Sequence, residues 1–306
     1  MTAPIIVSVP GKALRKAVGE IDGVEFVQWD MEGPPPVAEI DIAVQPYMGG
    51  TAKLVNLEGA SVRLVQSQSI GYDGVDDALP QGKVFANAST VHETSTAELT
   101  LALILAAQRG IPDFVRSAGE GRWAPTRYES LADRTVLLLG HGGVGKAIEE
   151  RLIPFETNIV RVASRARTDE RGPIHGLDEL PALLPEADIV VVGVPLTEST
   201  TGLVDEQFLA ALHDDALVVN IARGAVADTD AILRHAQSGR LRFALDVTEP
   251  EPLPDGHPLF ALPNVLISPH VGGASTAMMP RMARLLRTQI ERMQQGDEPV
   301  NVVLRT

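Results

Sequence analysis

The sequence predicts an α/β protein with two parallel-sheet domains, the second of which is inserted into the first. Short apolar runs alternate with helical patterns along most of the 306 residues, and this alternation is typical of parallel sheets whose strands are connected by helices. The alternation is interrupted once, by a long apolar helical pattern, and then starts again. A final apolar run near the C-terminus is predicted to return to the first domain as a strand.

The first domain is predicted to comprise residues 1–97 together with residues 274–306. Its strands are expected at residues 5–9, 24–28, 40–45, 62–66, 84–86 and 300–304. Its helices are expected at residues 12–18, 52–58 and 278–293, of which the last has a clear amphipathic pattern.

The pattern that interrupts the alternation predicts a helix over residues 95–116. Its central part, from Ala97 to Ala107, is apolar on almost every face. A helix of this kind is buried on most sides, either between domains or in a subunit interface. Residues 119–133, which include Trp123, are expected to form an irregular linker.

The second domain is predicted to span residues 98–273, and a glycine-rich turn lies near its start. An apolar run leads into Gly140, Gly142 and Gly145 and then into a helical pattern. This G-x-G-x-x-G spacing between a strand and a helix favours a dinucleotide site, in which the pyrophosphate rests on the helix N-terminus. A nucleotide-triphosphate loop is the alternative, but that loop requires Ser or Thr where the chain has Ala147.

The strands expected in this second domain complete a six-stranded sheet of the Rossmann type. They cover residues 136–139, 159–163, 189–194, 217–221, 243–246 and 265–268. The predicted architecture is therefore two Rossmann or flavodoxin-like parallel-sheet domains, with the dinucleotide-binding domain inserted into the substrate domain. We expect the ligands to bind in the cleft between the two.

Composition argues against several classes of protein. A formal net charge of −14 and a sequence pI of about 4.9 disfavour nucleic acid as a partner. The chain has no cysteine, which excludes disulfides, thiolate metal sites and a cysteine nucleophile. No signal-peptide pattern or membrane-spanning apolar stretch is found, so we expect a cytoplasmic protein without a membrane partner. No metal site is expected, since His92 begins a zinc-helix motif that lacks its second histidine.

Four polar stretches directly follow predicted strands, at the sheet edge where open α/β sheets bind ligands. They read VPLT from Val194, NIARG from Asn220, DVTEPEPLP from Asp246 and SPHVGG from Ser268. Together with GHGGVG at the glycine turn, these four stretches occur in the same order, and at roughly the same spacing, as the motifs of one known family. From about Ser69 to Gly273 the chain resembles the D-2-hydroxyacid dehydrogenases, in particular their glyoxylate/hydroxypyruvate reductase branch.

This resemblance implies an enzyme that reduces a small 2-oxo acid to a D-2-hydroxy acid by hydride transfer from NAD(P)H. Arg223 matches the arginine that holds the substrate carboxylate and keto oxygen. His270 matches the general acid/base that exchanges a proton with the 2-oxygen. Glu251 matches the carboxylate that pairs with this histidine and fixes its tautomer.

The resemblance also implies substrate contacts from the first domain and a two-fold assembly. The loop at Ser69, Ile70 and Gly71 matches one that offers backbone N–H groups to the substrate carboxylate. Met48, beside two glycines, suggests a modest pocket, which favours glyoxylate, hydroxypyruvate or pyruvate. Related enzymes are dimers built around the apolar helix, so we expect a homodimer through the helix from Ala97 to Ala107.

The expected cofactor contacts extend beyond the glycine turn. They are Gly140, Gly142, Gly143, Val144, Gly145, Val194, Pro195, Thr201, Ile221, Ala222, Asp246 and Gly272. At the end of the second strand, where NAD-binding proteins usually carry an acidic residue, this chain has Ser164, Arg165 and Arg167. A hydroxyl and two guanidinium groups favour a 2′-phosphate, so NADP is predicted to be preferred to NAD. The alternative is that both arginines are ordinary surface charges.

Two other functions stay open at this point. A phosphite- or formate-type dehydrogenase shares the fold, although the formate branch carries Gln where this chain has Glu251. A dinucleotide-sensing regulator without turnover is the other, and the complete set of Arg223, Glu251 and His270 argues against it. No role is assigned to the side chain of His141 in the glycine turn.

Overall fold

A computed structural model describes residues 3–306; the first two residues, where the predicted substrate domain begins, lie outside it. The chain divides into two compact units. One contains the chain up to His92 together with Ser275–Thr306, and the other is Glu93–Ala274. Each unit is built on a six-stranded sheet with helices packed against it, which confirms the predicted fold class.

The N-terminal part of the first unit has the predicted alternation of strands and helices. Its elements are β1 (Ile5–Val9), α1 (Lys12–Val18), β2 (Val24–Gln28), β3 (Glu39–Val44), a 3-10 helix (Ala52–Leu57), β4 (Ser61–Gln66), α2 (Val75–Ala78) and β5 (Val84–Ala86). The predicted strands are present with small shifts at their ends, because each coincides with a largely apolar or alternating run. The strands β1, β3, β4 and β5 contain buried residues, whereas β2 contains none.

The second unit begins with two helices and continues as a Rossmann-type alternation. These helices are α3 (Glu93–Gln108) and α4 (Ile111–Gly119), followed by β6 (Thr135–Leu139), α5 (Gly143–Leu152), β7 (Asn158–Val162), β8 (Arg167–Asp169), β9 (Gly172–Ile174) and α6 (Leu180–Leu183). The remaining elements are β10 (Ile189–Val192), α7 (Glu206–Ala211), β11 (Leu217–Asn220), α8 (Thr229–Gln237), β12 (Arg242–Leu245) and β13 (Val265–Ile267).

The main sheet of this unit is entirely parallel, in the order β13-β12-β11-β10-β6-β7. The last residues of its strands lie level with one another. Leu139 pairs with Val192, and Val192 pairs with Asn220. The strand order reverses between β6 and β10, so the loops that follow these strands leave the sheet at its topological switch point, where such folds bind ligands.

The predicted helix over residues 95–116 is wrong in one respect: the structure has two helices there. Gly110 separates them with a left-handed backbone, φ +61°. A Cβ at this position would lie 2.3 Å from the ring of Tyr128, so the break needs glycine for both reasons. The first helix, α3, packs against α5, whereas no side chain of α4 is buried in the single chain.

The hairpin formed by β8 and β9 was not predicted. The three residues of β8 are exposed and polar, so they carry none of the apolar alternation that marks a strand in a sequence. The hairpin is antiparallel, and His175 beyond it forms a parallel bridge with Val162 at the end of β7.

The chain returns to the first unit through α9 (Met278–Gln295) and β14 (Val302–Arg305). The strand order there is β14-β5-β4-β3-β1-β2. The other strands are parallel, but β14 runs antiparallel to β5. The predicted return of the C-terminal strand is therefore confirmed, with an orientation that the sequence did not indicate.

Within residues 3–306, no helix combines the length and apolar character that crossing a bilayer requires. Over the same residues, no three His, Asp or Glu side chains are grouped closely enough to hold a metal ion.

Candidate active site

The glycine turn connects β6 to α5, and each of its three signature glycines has a distinct structural reason. Gly140 has φ +110°, and a Cβ on it would lie 2.4 Å from the carbonyl oxygen of Gly193. A Cβ on Gly145 would lie 2.1 Å from the carbonyl oxygen of Gly140, so this residue allows the helix to approach the strand. Gly142 is exposed, and a Cβ there would meet no atom within 4 Å.

This geometry fits a bound pyrophosphate. At Gly140 and Gly145 a side chain would collide with backbone atoms of the protein itself. At Gly142, by contrast, the space is open, and this residue lies at the start of a ten-residue helix. Gly143 and Val144 supply the next backbone N–H groups of that turn. Free N–H groups and the positive end of the helix dipole attract phosphate oxygens there.

Arg223 lies in the loop after β11, and its neighbours shape that loop. Asn220 accepts a hydrogen bond from the amide of Ala222 at 3.0 Å and donates one to the carbonyl of Arg223 at 3.2 Å. The guanidinium of Arg223 donates from Nη1 to the carbonyl oxygen of Ala222 at 2.7 Å. A Cβ on Gly224 would lie 1.9 Å from the carbonyl oxygen of Thr248, so glycine is required where this loop meets the one after β12.

Asp246 organises the loop that carries His270. Its buried carboxylate accepts hydrogen bonds from the Ser268 hydroxyl at 2.7 Å, the Val271 amide at 2.9 Å and the Gly272 amide at 2.9 Å. The amide of His270 donates to the carbonyl oxygen of Asp246 at 2.7 Å. The sequence predicts a cofactor contact for Asp246; what the structure shows is that its carboxylate holds this loop in place.

His270 and Glu251 form a hydrogen-bonded pair. The imidazole Nδ1 lies 2.5 Å from Oε1 of the carboxylate, and the two side chains are 30% and 38% exposed. His270 has a left-handed backbone, φ +52°, which is uncommon for a residue with a side chain and is often found at functional sites. Because Nδ1 faces a carboxylate, it carries the proton, and Nε2 is the ring atom that can exchange a proton with a ligand.

The three residues that the sequence predicted as catalytic therefore come from loops after adjacent strands. Arg223 follows β11, Glu251 follows β12 and His270 follows β13. The ends of these strands are level, since Asn220 pairs with Leu245 and Leu245 with Ile267. The structure joins the glutamate and the histidine directly and places the arginine in the loop after the adjacent strand, β11.

The loop after β10 contains Val194, Pro195 and Thr201, all predicted to contact the cofactor. Val194 is buried and Pro195 is exposed. The hydroxyl of Thr201 donates to the carbonyl oxygen of Thr197 at 2.8 Å, whereas Thr200 donates to the carbonyl oxygen of Pro195 at 2.6 Å. The hydrogen bonds of Thr200 and of the exposed Thr201 therefore stabilise the turn in this loop. Ile221 and Ala222 are buried directly after β11.

Ser164 and Arg165 lie between β7 and β8, Arg167 is the first residue of β8, and all three are exposed. The guanidinium Nη2 of Arg167 lies 3.4 Å from the carbonyl oxygen of His141 in the glycine turn. Its Nη1 lies 3.4 Å from the carbonyl oxygen of Arg165. The structure thus places one of the two arginines beside the glycine turn.

The loops predicted to contact substrate follow β3 and β4 in the first unit. Gln45 donates to the carbonyl oxygen of Gly50 at 2.6 Å, which closes the turn that exposes Met48. The amide of Ser69 donates to the hydroxyl of Ser67 at 3.0 Å. The backbone of this second loop is anchored by Asn87, which donates to the carbonyl oxygen of Ile70 at 2.8 Å.

His92 connects these two loops. Its ring stacks on Tyr47 with centroids 5.6 Å apart, and its Nε2 lies 2.6 Å from the carbonyl oxygen of Gln68. The side chain of Gln68 donates to the carbonyl oxygen of Gln45 at 3.0 Å. The buried His92 is thus part of the framework of the first unit.

Residues 101–272 match the profile of the D-isomer specific 2-hydroxyacid dehydrogenases, NAD binding domain. The chain belongs to this family. The human glyoxylate reductase/hydroxypyruvate reductase is 30% identical to it over 279 residues, which are 85% of each chain. The glyoxylate reductase of Pyrococcus horikoshii is 34% identical over 284 residues, covering 88% of this chain and 84% of that one.

Solved structures of the family have the same fold. A D-isomer specific 2-hydroxyacid dehydrogenase from Xanthobacter autotrophicus Py2, solved in complex with NADPH and MES, has a TM-score of 0.81 and 28% sequence identity. The match covers 99% of this chain and 98% of that one. The resemblance drawn from the sequence motifs is confirmed, and this 2-hydroxyacid dehydrogenase is an oxidoreductase of two α/β domains.

Sequence reasoning missed one group of residues in this dehydrogenase. His141 was given no side-chain role, yet it is buried and its Nε2 lies 2.8 Å from Oε2 of Glu149. Glu149 in turn contacts Arg161, which is also buried. The one signal available in the sequence was the presence of charged residues at positions that the helix and strand patterns bury.

Proposed function

We propose that this enzyme reduces a small 2-oxo acid to the D-2-hydroxy acid, with His270 as general acid and Arg223 as the substrate-binding cation. The observation that supports this most strongly is the Glu251–His270 hydrogen bond at 2.5 Å. It occupies Nδ1 and leaves Nε2 to give a proton to the oxygen of the ketone as that oxygen gains negative charge. A regulator without turnover has no need of this arrangement.

Arg223 acts on the substrate before and during reduction. A guanidinium is planar and can donate to two oxygens at once, which suits a carboxylate next to a ketone. The same positive charge stabilises the developing alkoxide. Asn220 and Gly224 hold the backbone around Arg223 in place, so the charge is oriented before the substrate arrives.

The cofactor that fits this site is a nicotinamide dinucleotide, which supplies the hydride. Gly140, Gly142, Gly143, Val144 and Gly145 would hold its pyrophosphate at the first turn of α5. The residues that would line the rest of its length are Val194, Pro195, Thr201, Ile221, Ala222, Asp246 and Gly272. These residues follow β10, β11, β12 and β13, so they lie along the carboxyl edge of one sheet.

We further propose a preference for NADPH over NADH. No carboxylate lies between the end of β7 and β8; Ser164 and Arg165 are exposed there, and Arg167 begins β8. An acidic side chain at this point would repel a 2′-phosphate, whereas a guanidinium binds it with charge-assisted hydrogen bonds. The NADPH-bound family member from Xanthobacter supports the same choice.

The substrate class follows from the relatives and from the first unit. Glyoxylate and hydroxypyruvate reductases are 30–34% identical to this chain, so we propose a 2-oxo acid with a short side chain. Backbone N–H groups of the Ser69–Ile70–Gly71 loop are proposed to bind its carboxylate, mainly those of Ile70 and Gly71 because Ser67 accepts from Ser69. Met48 is proposed to limit the size of the side chain.

A homodimer is proposed on the basis of exposed apolar surface near α3. Ile111, Phe114 and Val115 of α4 are exposed in the single chain, and Trp123 is 96% exposed. An apolar surface of this kind is typical of an interface. A two-fold contact between copies of α3 and its neighbour α4 would cover it.

The test of the proposed function is steady-state turnover with a panel of about ten 2-oxo acids and NADPH, with chiral analysis of the product. We expect glyoxylate and hydroxypyruvate to have the highest kcat/KM, and hydroxypyruvate to give the D-product. Absence of turnover with every member, despite dinucleotide binding, would instead support a dinucleotide-sensing regulator.

A further inference from the structure

A chain of charged side chains is buried in the second unit, outside the residues assigned to chemistry or direct cofactor contact. The side chains of His141, Arg161 and Glu149 are 1%, 4% and 6% exposed. Burying charged groups is costly, and a buried ion pair is often no more stabilising than apolar residues of the same volume. Stability alone therefore does not explain why His141, Glu149 and Arg161 are buried together.

Glu149 on α5 is the centre of this chain. One of its oxygens accepts from Nε2 of His141 at 2.8 Å and lies 3.4 Å from Nη1 of Arg171. The other oxygen accepts from Nη1 of Arg161 at 3.3 Å. A single carboxylate thus connects the glycine turn, strand β7 and the hairpin of β8 and β9.

Arg161 attaches both strands of that hairpin to the domain. Its Nη1 donates to the carboxylate of Asp169 on β8 at 2.9 Å, and its Nη2 donates to the carbonyl oxygen of Pro173 on β9 at 3.1 Å. Asp169 also accepts from the amide of Arg171 at 2.9 Å, which forms the turn of the hairpin. Partial desolvation works to raise the pKa of Asp169, but the Arg171 amide and Arg161 together hold it below its ordinary value.

The hairpin carries the side chains proposed to recognise a 2′-phosphate. Arg167 is the first residue of β8, and Ser164 and Arg165 fill the short connection from β7. Arg167 also lies against the carbonyl oxygen of His141. Because both arginines are exposed, their position depends on how the hairpin is attached.

We infer that the buried side chains of His141, Glu149 and Arg161, together with the exposed Asp169, form a positioning network that sets the selectivity for NADPH over NADH. It fixes the hairpin relative to the glycine turn, and the proposal rests on the function proposed above for Ser164, Arg165 and Arg167. None of its four members needs to contact the cofactor through its side chain. Their effect is to reduce the freedom that the arginines lose when a phosphate binds.

The test uses Asp169→Ala, which releases the hairpin, and Asp169→Asn, which removes the charge but keeps an oxygen that accepts from Arg161 and the Arg171 amide. The measured quantities are the dissociation constants of NADPH and NADH, obtained by calorimetry on the full-length protein. We expect Asp169→Ala to weaken NADPH binding by about tenfold, the effect of one charge-assisted hydrogen bond. Binding of NADH should change by less than about twofold, and Asp169→Asn should lie between Asp169→Ala and the wild type.

The direction in which Asp169→Ala changes NADPH affinity distinguishes a positioning role of Asp169 from a direct effect of its charge. Removing an anion near a phosphate would tighten NADPH binding if long-range charge repulsion were the only factor. Tighter or unchanged NADPH binding by Asp169→Ala would therefore overturn the inference. An equal loss for both cofactors would also overturn it, because it would indicate general damage to the domain.

A matched control and a second variant complete the experiment. Glu206→Gln breaks an exposed ion pair with Arg234 elsewhere in the same unit and should leave both dissociation constants unchanged. If Asp169→Ala does not fold, Asp169→Asn tests the same contact, and it should still weaken NADPH selectively although it removes a negative charge. A wild type without NADPH preference would refute the arginine assignment together with this inference, whereas a preference that survives Asp169→Ala and Asp169→Asn unchanged would refute the inference alone.

Discussion

We expect two substitutions, Ser164→Asp and Arg165→Ala, to reverse the proposed preference for NADPH. Both residues are exposed and follow directly after the buried end of β7, so the changes are not expected to disturb the fold. The first places a carboxylate where NAD-binding proteins use one for the ribose hydroxyls. The second removes a guanidinium that is proposed to bind the 2′-phosphate.

The magnitude follows from two contributions. Losing one charge-assisted hydrogen bond costs about 1.5–3 kcal/mol. A carboxylate about 4 Å from a phosphate adds roughly 1 kcal/mol for each negative charge of the phosphate at a water-exposed position. Together these shift the NADPH/NADH ratio of kcat/KM by roughly 10²–10⁴-fold, which exceeds the 10–100-fold preference expected of the wild type from one such bond.

The assay is initial-rate reduction of glyoxylate at varied NADPH or NADH for the wild type and the double variant. Arg234→Ala serves as a control, since it removes an exposed arginine of the same unit at a distant ion pair and should leave the ratio unchanged. A wild type with equal or higher efficiency for NADH would refute the reasoning. So would a double variant that still prefers NADPH.

Three further predictions concern proton transfer, loop geometry and assembly. Glu251→Gln should lower kcat for reduction, because a neutral amide replaces the carboxylate that Nδ1 of His270 faces at 2.5 Å; an unchanged kcat would contradict the pairing. Gly224→Ala should lower kcat by about tenfold or more and reduce thermal stability, since its Cβ would lie 1.9 Å from the Thr248 carbonyl; wild-type kinetics would show that the loops tolerate separation. Light scattering at micromolar concentration should give the mass of a dimer, and a monomer mass would exclude an interface at α3 and α4.

The sequence predicted the main sheets well because most of their strands coincide with apolar runs, several of which are deeply buried. Residues 189–192, for example, are Ile-Val-Val-Val and are all buried as β10. The glycine turn was also predictable, since its spacing reflects steric needs of the backbone itself. A Cβ on Gly140 would lie 2.4 Å from a backbone oxygen, and a Cβ on Gly145 would lie 2.1 Å from one, so neither position accepts a side chain.

The structural features that the sequence did not predict depend on contacts between residues that are far apart in the chain. The break at Gly110 lies inside a nearly continuous helical pattern, and part of its cause is the ring of Tyr128, further along the chain. The hairpin of β8 and β9 has no apolar periodicity and is held by Arg161 through polar contacts. Neither signal is present in a local window of residues.

The candidate catalytic residues could not be predicted from local sequence patterns. Nothing in the composition of the loops distinguishes Arg223, Glu251 or His270 from ordinary surface charges, and the resemblance to a family singled them out. The structure adds a physical reason for two of them, which is the direct Glu251–His270 contact. It also shows that Asp246, predicted only as a cofactor contact, shapes the histidine loop.

The most direct test of the proposed chemistry is the rate of glyoxylate reduction by His270→Ala at saturating NADPH. A positioned general acid contributes about 10²–10⁴-fold to the rate, and we expect kcat to fall by a factor in that range. His213→Ala, which removes an exposed histidine of the same unit, should retain the wild-type rate. If His270→Ala also retained a near-normal rate, His270 would not be the proton donor, and the account of this active site would be contradicted.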